Sequence, residues 1–269
     1  MRPATSPLFT TNNAKYSDIS GRVPFSGQPL LATILNLGHH YMRSWLSIFT
    51  IPLLLTGSLA YAANGGGVTI GGTRLVFNGA NKEASLSVSN SAQSPYLIQS
   101  WAEDNDGNSS KLPFIVTPPL FRLNGNQDNI LRVLRTRERL PEDRESLFWL
   151  NIKAIPSGSD VKGQNALQIA VKTKVKLIFR PASLNGNPEE VTSKLTWSQS
   201  GNKLTVTNPT AFIMNFSQVK VGGHRVKDAT YVLAKSQATF TLSEGASGQI
   251  SWTLISDYGG LGEAHTFGN

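Results

Sequence analysis

The chain has 269 residues, no cysteine, 25 Lys and Arg against 17 Asp and Glu, and a formal net charge of +8. That length suits two modest domains, and 39% hydrophobic with 16% charged residues is enough to build packed cores, which excludes a wholly disordered chain. The lack of cysteine excludes a disulfide framework, a thiolate metal site and a cysteine nucleophile. The basic balance points to an anionic partner, whether nucleic acid, membrane surface or carboxylate ligand, and says nothing about fold.

Residues 1–41 show no periodicity and read as an upstream segment from a mis-assigned start. Met42 and Arg43 then precede an apolar run from Trp45 to Leu59 and the small-x-small triplet Ala60-Tyr61-Ala62. This pattern predicts a signal peptide over 42–62, cleaved after Ala62. A membrane anchor is the rival reading. Pro52 and Gly57 interrupt the run, and it falls short of the ~20 apolar residues a span needs. Removing 1–62 takes away Arg2, Lys15, Arg22, Arg43 and Asp18, which lowers the charge from +8 to +5 and weakens the case for a polyanion.

Segments with period-2 alternation follow every eight to fifteen residues, and no amphipathic helix of any length appears. Strands are predicted near Thr73–Phe77, Ala84–Ser89, Tyr96–Ala102, Phe114–Val116, Ile130–Arg135, Leu147–Ile155 and Ala166–Phe179. A second set lies near Leu195–Ser198, Lys203–Thr207, Ile213–Val219, Thr230–Leu233, Ala238–Leu242 and Ile250–Ile255. The dipeptides Asn78-Gly79, Asp106-Gly107, Asn124-Gly125 and Asn185-Gly186 mark turns of the kind that joins hairpins. The count fits an all-β protein of two sandwiches. Arg180-Pro181-Ala182-Ser183 and the Asn-Gly-Asn-Pro turn put the boundary at about 181–186, giving an N-terminal domain over 63–181 and a C-terminal domain over 182–269.

The last strand of the first set is too long. In LQIAVKTKVKLIF, Leu167, Ile169, Val171, Thr173, Val175, Leu177 and Phe179 share one parity, and Lys172, Lys174 and Lys176 share the other. Thirteen residues at about 3.3 Å each span about 40 Å, against the five or six residues of an ordinary strand. One end can project past its own core. A bare apolar row on a sheet edge is an aggregation hazard unless a partner covers it.

Four segments together carry a resemblance. They are Thr73-Arg74-Leu75-Val76-Phe77, Pro141-Glu142-Asp143-Arg144-Glu145-Ser146-Leu147-Phe148-Trp149, the strand LQIAVKTKVKLIFRP, and Asp257-Tyr258-Gly259-Gly260. In this order, over 68–260, the chain resembles the periplasmic chaperones of the chaperone-usher pathway that assemble pili. The resemblance implies two immunoglobulin-like β-sandwich domains arranged as a boomerang with an interdomain cleft, a fold for which these chaperones are already an established case. It implies that Arg74 and Lys176 grip the C-terminal carboxylate of a pilus subunit. It implies that Leu167, Ile169 and Val171 fill the hydrophobic groove of a subunit that lacks its last strand, and chaperone with pilin is itself an established example of such strand addition. Glu145, Arg180 and Asp257 match a charge network that orients the two domains.

The resemblance also implies pilus subunits and an outer-membrane usher as partners, a periplasmic location, and no cofactor or metal. It leaves self-association of the free chain open. The short loop Pro156–Asn165 and the missing cysteines place the chain with the short-loop group of these chaperones. Thr117-Pro118-Pro119 matches a family turn whose proline isomer the sequence leaves open.

Other signals are weaker. Asp104-Asn105-Asp106-Gly107-Asn108 begins like a calcium loop, but the glycine is misplaced and the twelfth position is Ile115, so a hairpin turn is expected. His39 and His40 lie upstream of the signal sequence, and His224 and His265 alone make neither a zinc site nor a triad. No G-x-S-x-G, phosphate loop or dinucleotide fingerprint occurs beyond residue 62, so no enzyme is expected. Lys172, Lys174 and Lys176 with Trp101 could be imagined as a nucleic-acid stripe, a partner an exported protein rarely meets, and none is expected. The competing class is a secreted structural or adhesive fimbrial module.

Overall fold

The computed structural model describes residues 66–157 and 167–268. The upstream segment 1–41, the signal sequence 42–62 and most of the loop Pro156–Asn165 lie outside the described residues. Nine strands build the first domain: β1 (Val68–Ile70), β2 (Arg74–Asn78), β3 (Glu83–Asn90), β4 (Tyr96–Glu103), β5 (Phe114–Thr117), β6 (Leu120–Leu123), β7 (Gln127–Arg135), β8 (Ser146–Pro156) and β9 (Val171–Arg180). They form two sheets, in the orders β1-β3-β7-β5 and β2-β9-β8-β4-β6. All pairs are antiparallel except β2 with β9, which run parallel. The Thr117–Pro118 peptide bond is cis.

Alternation places the core. On β9, Val175, Leu177 and Phe179 point inward and are buried, while Lys172 and Lys174 on the other parity stay exposed. Phe77, Phe114, Phe148 and Phe179 pack among these residues with ring centroids 5.1–6.3 Å apart, three pairs tilted and Phe114–Phe148 edge-on, and edge-to-face contact adds to simple area burial.

Past Arg180 the chain makes a single helical turn, α1 (Pro188–Val191), before the second domain. Asn187 caps this turn by accepting from the amides of Glu189 and Glu190. The second domain contains β10 (Thr196–Ser200), β11 (Lys203–Asn208), β12 (Met214–Val221), β13 (His224–Arg225), β14 (Tyr231–Val232), β15 (Ser236–Thr241), β16 (Ile250–Ile255) and β17 (Leu261–Phe267). Its sheets run β10-β11-β15 and β13-β12-β16-β17, with β14 also on β12. Its core is built around Trp197, Leu204, Val206, Met214 and Trp252. A third, small apolar cluster joins the domains, with Leu147 and Ile178 from the first packed on Ile213 and Ala234 from the second.

Three expectations need correction. The Asn-Gly and Asp-Gly dipeptides are not hairpin turns. Asn78-Gly79, Asp106-Gly107 and Asn124-Gly125 lie where the chain crosses from one sheet of the first sandwich to the other, and Asn185-Gly186 lies in the interdomain connection. The two-residue hairpin loops are instead Gly201-Asn202 and Gly222-Gly223, where Gly201, Gly222 and Gly223 take the positive φ that such loops demand. The Asp104 segment turns the chain by self-capping. Its carboxylate accepts from the Asp106 and Asn108 amides and from Asn108 Nδ2, at 2.8–3.0 Å.

The long strand is ten residues rather than thirteen. Its partner β8 ends at Pro156, which has no N–H to extend the ladder, and the last β8–β9 pair is Ala154 with Val171. Leu167–Ala170 therefore precede the strand without pairing. Four strands without strong alternation escaped the sequence reading: β1, β6, β13 and β17. The first three have two to four residues, and β17 is an edge strand whose side chains are mostly solvent-facing on both parities.

Candidate functional site

The parallel pairing of β2 and β9 creates the chemistry. Its register sets Arg74 directly opposite Lys176, on the face turned away from the first core. Like charges directly opposite one another across strands destabilise, and both are withdrawn from water. Arg74 is only 8% exposed. Its Nη1 donates to the Ile255 carbonyl at 3.1 Å, and its Nε is buried without a partner. Lys176 donates to Asn215 Oδ1 at 2.7 Å and lies over the Tyr231 ring, 4.6 Å from its centroid. Among the described residues neither cation has a carboxylate in ion-pair reach.

Burial pushes the Arg74 guanidinium below its ordinary value, against the partial support of Asp257. Burial, with the charge of Arg74 added, brings Lys176 down to about 8. Two desolvated cations, one of them with an unpartnered donor, call for an anion. A carboxylate fits, because the guanidinium can offer a fork and the ammonium a compact second charge.

Beside this pair, β9 has a bare edge. β2 covers only Lys176–Arg180, so among the described residues Val171–Val175 pair with β8 on one side and with nothing on the other. Val171 is 57% exposed, Ile169 66% and Leu167 86%. Ile169 and Val171 line an opening of about 170 Å³ at the end of the first sandwich, together with Val68, Ile70, Tyr96 and Ile152. A row of apolar side chains next to unpaired backbone groups, ending at two cations, presents everything an added strand with a terminal carboxylate would use.

Glu145, Arg180 and Asp257 meet in one network. Arg180 Nε contacts Glu145 Oε1 at 2.6 Å, and its two terminal nitrogens grip Asp257 at 2.7 and 3.0 Å. Glu145 Oε2 accepts from the Ile213 amide at 2.6 Å. The Glu145 side chain is 1% exposed. Burial pushes its carboxyl up, opposed by Arg180 and the Ile213 amide. Burial alone would lower Arg180, and its bonds to Asp257 and Glu145 outweigh that and raise it.

Over residues 67–185 the sequence matches the family described as "Pili and flagellar-assembly chaperone, PapD N-terminal domain", and over 190–266 that described as "Pili assembly chaperone PapD, C-terminal domain". The chain belongs to the pilus-assembly chaperone family. Similar relatives include the "Probable fimbrial chaperone LpfB" of Escherichia coli O157:H7, 41% identical over 220 residues, which are 80% of this chain and 94% of that protein. The "Chaperone protein FimC" of Escherichia coli K12 is 41% identical over 198 residues, 72% of this chain and 81% of that one. Among solved structures, a chain of the Salmonella enterica SafA pilin complex with the SafB chaperone aligns with TM-score 0.71 and 40% identity, covering 75% of this chaperone and 96% of that chain. These similarities give the chaperone two immunoglobulin-like domains and a non-enzymatic role in pilus assembly, and they do not favour the alternative of a structural or adhesive module.

Asn215, Tyr231 and the Ile255 carbonyl, which surround the two cations of the chaperone, escaped the sequence reading. Asn215 left a signal, a lone amide inside the apolar run Ile213-Met214-Asn215-Phe216. The other two did not.

The depressed Lys176 has a measurable consequence. In free protein it loses its proton through about pH 8, whereas the unfolded chain holds that proton to about the ordinary lysine value of 10.5. The unfolded state therefore binds more protons between those values, and stability of the free chaperone is expected to rise from pH 8 to 10.5. Affinity for a carboxylate should move the opposite way, falling as pH rises through 8. Chemical denaturation and ligand titration across that window check both signs.

Proposed function

We propose that the chain is exported to the periplasm by a signal peptide over 42–62, leaving domains 63–181 and 182–269, and there captures pilus subunits by donating β9. An incomplete subunit sandwich pairs with the bare edge of Val171–Val175, while Leu167, Ile169 and Val171 enter its groove. Arg74 and Lys176 take its C-terminal carboxylate. The clamp sets the register, since Val171 to Lys176 is about 17 Å of extended chain and a one-residue slip would turn every apolar side chain away from the groove. The usher receives the complex, and an incoming subunit's own strand displaces β9. The single observation that carries this reading is the bare edge of β9 ending at buried Arg74 and half-buried Lys176, neither with a carboxylate partner among the described residues.

The test is co-purification of a fimbrial subunit from periplasm. Ile169→Asp puts a charge at a position 66% exposed in the free protein, so it is expected to melt like wild type and lose the subunit. Burying each apolar side chain is worth about 1.5–3 kcal/mol before ordering costs. Retained capture by Ile169→Asp would sink the strand-donation reading.

A further inference from the structure

The outer face of the donor sheet carries more positive charge than one carboxylate neutralises. Lys172, Lys174 and Lys176 lie along it on β9, Lys153 stands directly opposite Lys172 on β8, and Arg74 stands opposite Lys176. Among the described residues, the one acid that pairs with them is Glu103 at the end of β4. Its Oε1 is 3.5 Å from Lys172 Nζ and its Oε2 is 3.5 Å from Lys174 Nζ. Glu103 is itself sunk into the face, its side chain 12% exposed, and accepts from Trp101 Nε1 at 2.7 Å. The two lysines remain 44% and 42% exposed, beside the bare edge at Val171–Val175.

This inference rests on the reading of β9 as a donor strand. A strand seated there with its terminal carboxylate at Arg74 and Lys176 must arrive from the Val171 end, so it runs parallel to β9. Its side chains alternate between the two faces of the sheet. One alternate set joins the apolar row of Val171. The other lies beside Lys174 and then Lys172, within reach of cross-strand pairing. We propose that Lys172 and Lys174 read this second set, favouring subunits whose last strand carries carboxylate side chains at alternate positions upstream of its C-terminus. Glu103 is the internal stand-in for those carboxylates, holding both ammonium groups in place while the edge is empty.

The aromatic rings on this face hold the lysines. Trp101, Trp149 and Tyr231 each carry a lysine ammonium, 4.9, 4.8 and 4.6 Å from the ring centroid. The arrangement fixes where each ammonium sits, which is what charge reading requires.

The experiment uses synthetic strand-forming peptides, fluorescently labelled at the N-terminus and followed by anisotropy at low salt. One has two aspartates on one alternate set upstream of a free C-terminal carboxylate, a second has them on the other set, and each has an asparagine counterpart. One aspartate peptide, and not the other, is expected to bind about five- to tenfold more tightly than its asparagine version, given the modest value of two partly exposed pairs. That preference should vanish in Lys172→Gln/Lys174→Gln and fade in high salt. In Glu103→Gln the same peptide should bind more tightly still.

Equal binding of aspartate and asparagine peptides overturns the proposal. So does a preference shared by both sets, a preference that survives the double lysine variant, or no binding of any peptide. An amidated C-terminus separates the two readings. If amidation leaves binding unchanged, the carboxylate clamp fails, while the aspartate preference stands or falls on its own comparison.

Discussion

Arg74→Ala is expected to abolish subunit capture while leaving the free chaperone at least as stable as wild type. The guanidinium is buried beside a second cation, with its Nε unpaired and its pKa held down by desolvation. In the free protein that is a penalty, relieved when one of two facing like charges is removed. Among the described residues, the only side-chain bond lost is the one to the Ile255 carbonyl. In the complex the balance reverses, because removing one partner of a buried, hydrogen-bonded charge pair costs about 2–5 kcal/mol. That converts to roughly 30- to 5,000-fold in affinity. Lys176→Ala is expected to act in the same direction by less, since the Lys176 ammonium is part-neutral above pH 8 and has Asn215 as an alternative partner. Co-purification and a thermal melt of each variant decide the matter. A destabilised Arg74→Ala that still retained its subunit would make Arg74 a structural residue and remove the clamp from the mechanism.

The sequence carried parity well and partnership poorly. Alternation from Leu167 onward separates Val175, Leu177 and Phe179 from the three lysines, and the burial of the first group follows that division. Periodicity, however, says which side chains share a face and nothing about what faces them. The opposition of Arg74 and Lys176 depends on a parallel contact between strands about a hundred residues apart, and only the resemblance to a known family linked the two. The length of β9 was overestimated for a related reason. The alternating pattern continues through Leu167 and Ile169, but pairing stops where β8 reaches Pro156. A strand left bare along part of its length looks in sequence like a strand paired throughout. Turn chemistry misled in the same way, since Asn-Gly and Asp-Gly supply a positive φ or a tight bend wherever the chain needs one. Here three serve corners between sheets and Asn185-Gly186 serves the interdomain connection, and the true hairpins are at Gly201 and Gly222.

Arg180→Ala is expected to act on the fold and only secondarily on capture. Among the described residues Arg180 is the sole cation touching Glu145, whose side chain is 1% exposed, and it also forks onto Asp257 near the strand that supplies the Ile255 carbonyl. Replacing the whole triad by apolar groups could be neutral, but deleting its centre strands a buried carboxylate, a loss of about 3–5 kcal/mol. For a protein of this size each kcal/mol moves the melting midpoint by about 2–4 °C, so a fall of roughly 6–20 °C is expected.

The pH dependence is the sharper test. Desolvation already pushes the Glu145 carboxyl up in the wild type, and the Arg180 charge restrains it. Without Arg180 its folded pKa climbs further above the unfolded value, so the native state binds the extra proton and stability grows as pH falls. The gap between variant and wild type should therefore be widest near pH 8 and narrow toward pH 5. Arg180→Lys keeps a charge but loses the fork, and should fall between them. Because Glu145 also holds the Ile213 amide and Asp257 lies in the second domain, the same variant should loosen the junction that places Asn215 and Ile255 around the two cations. Melts and circular dichroism near wild type, combined with lost subunit binding, would move Arg180 from the scaffold into the binding site itself.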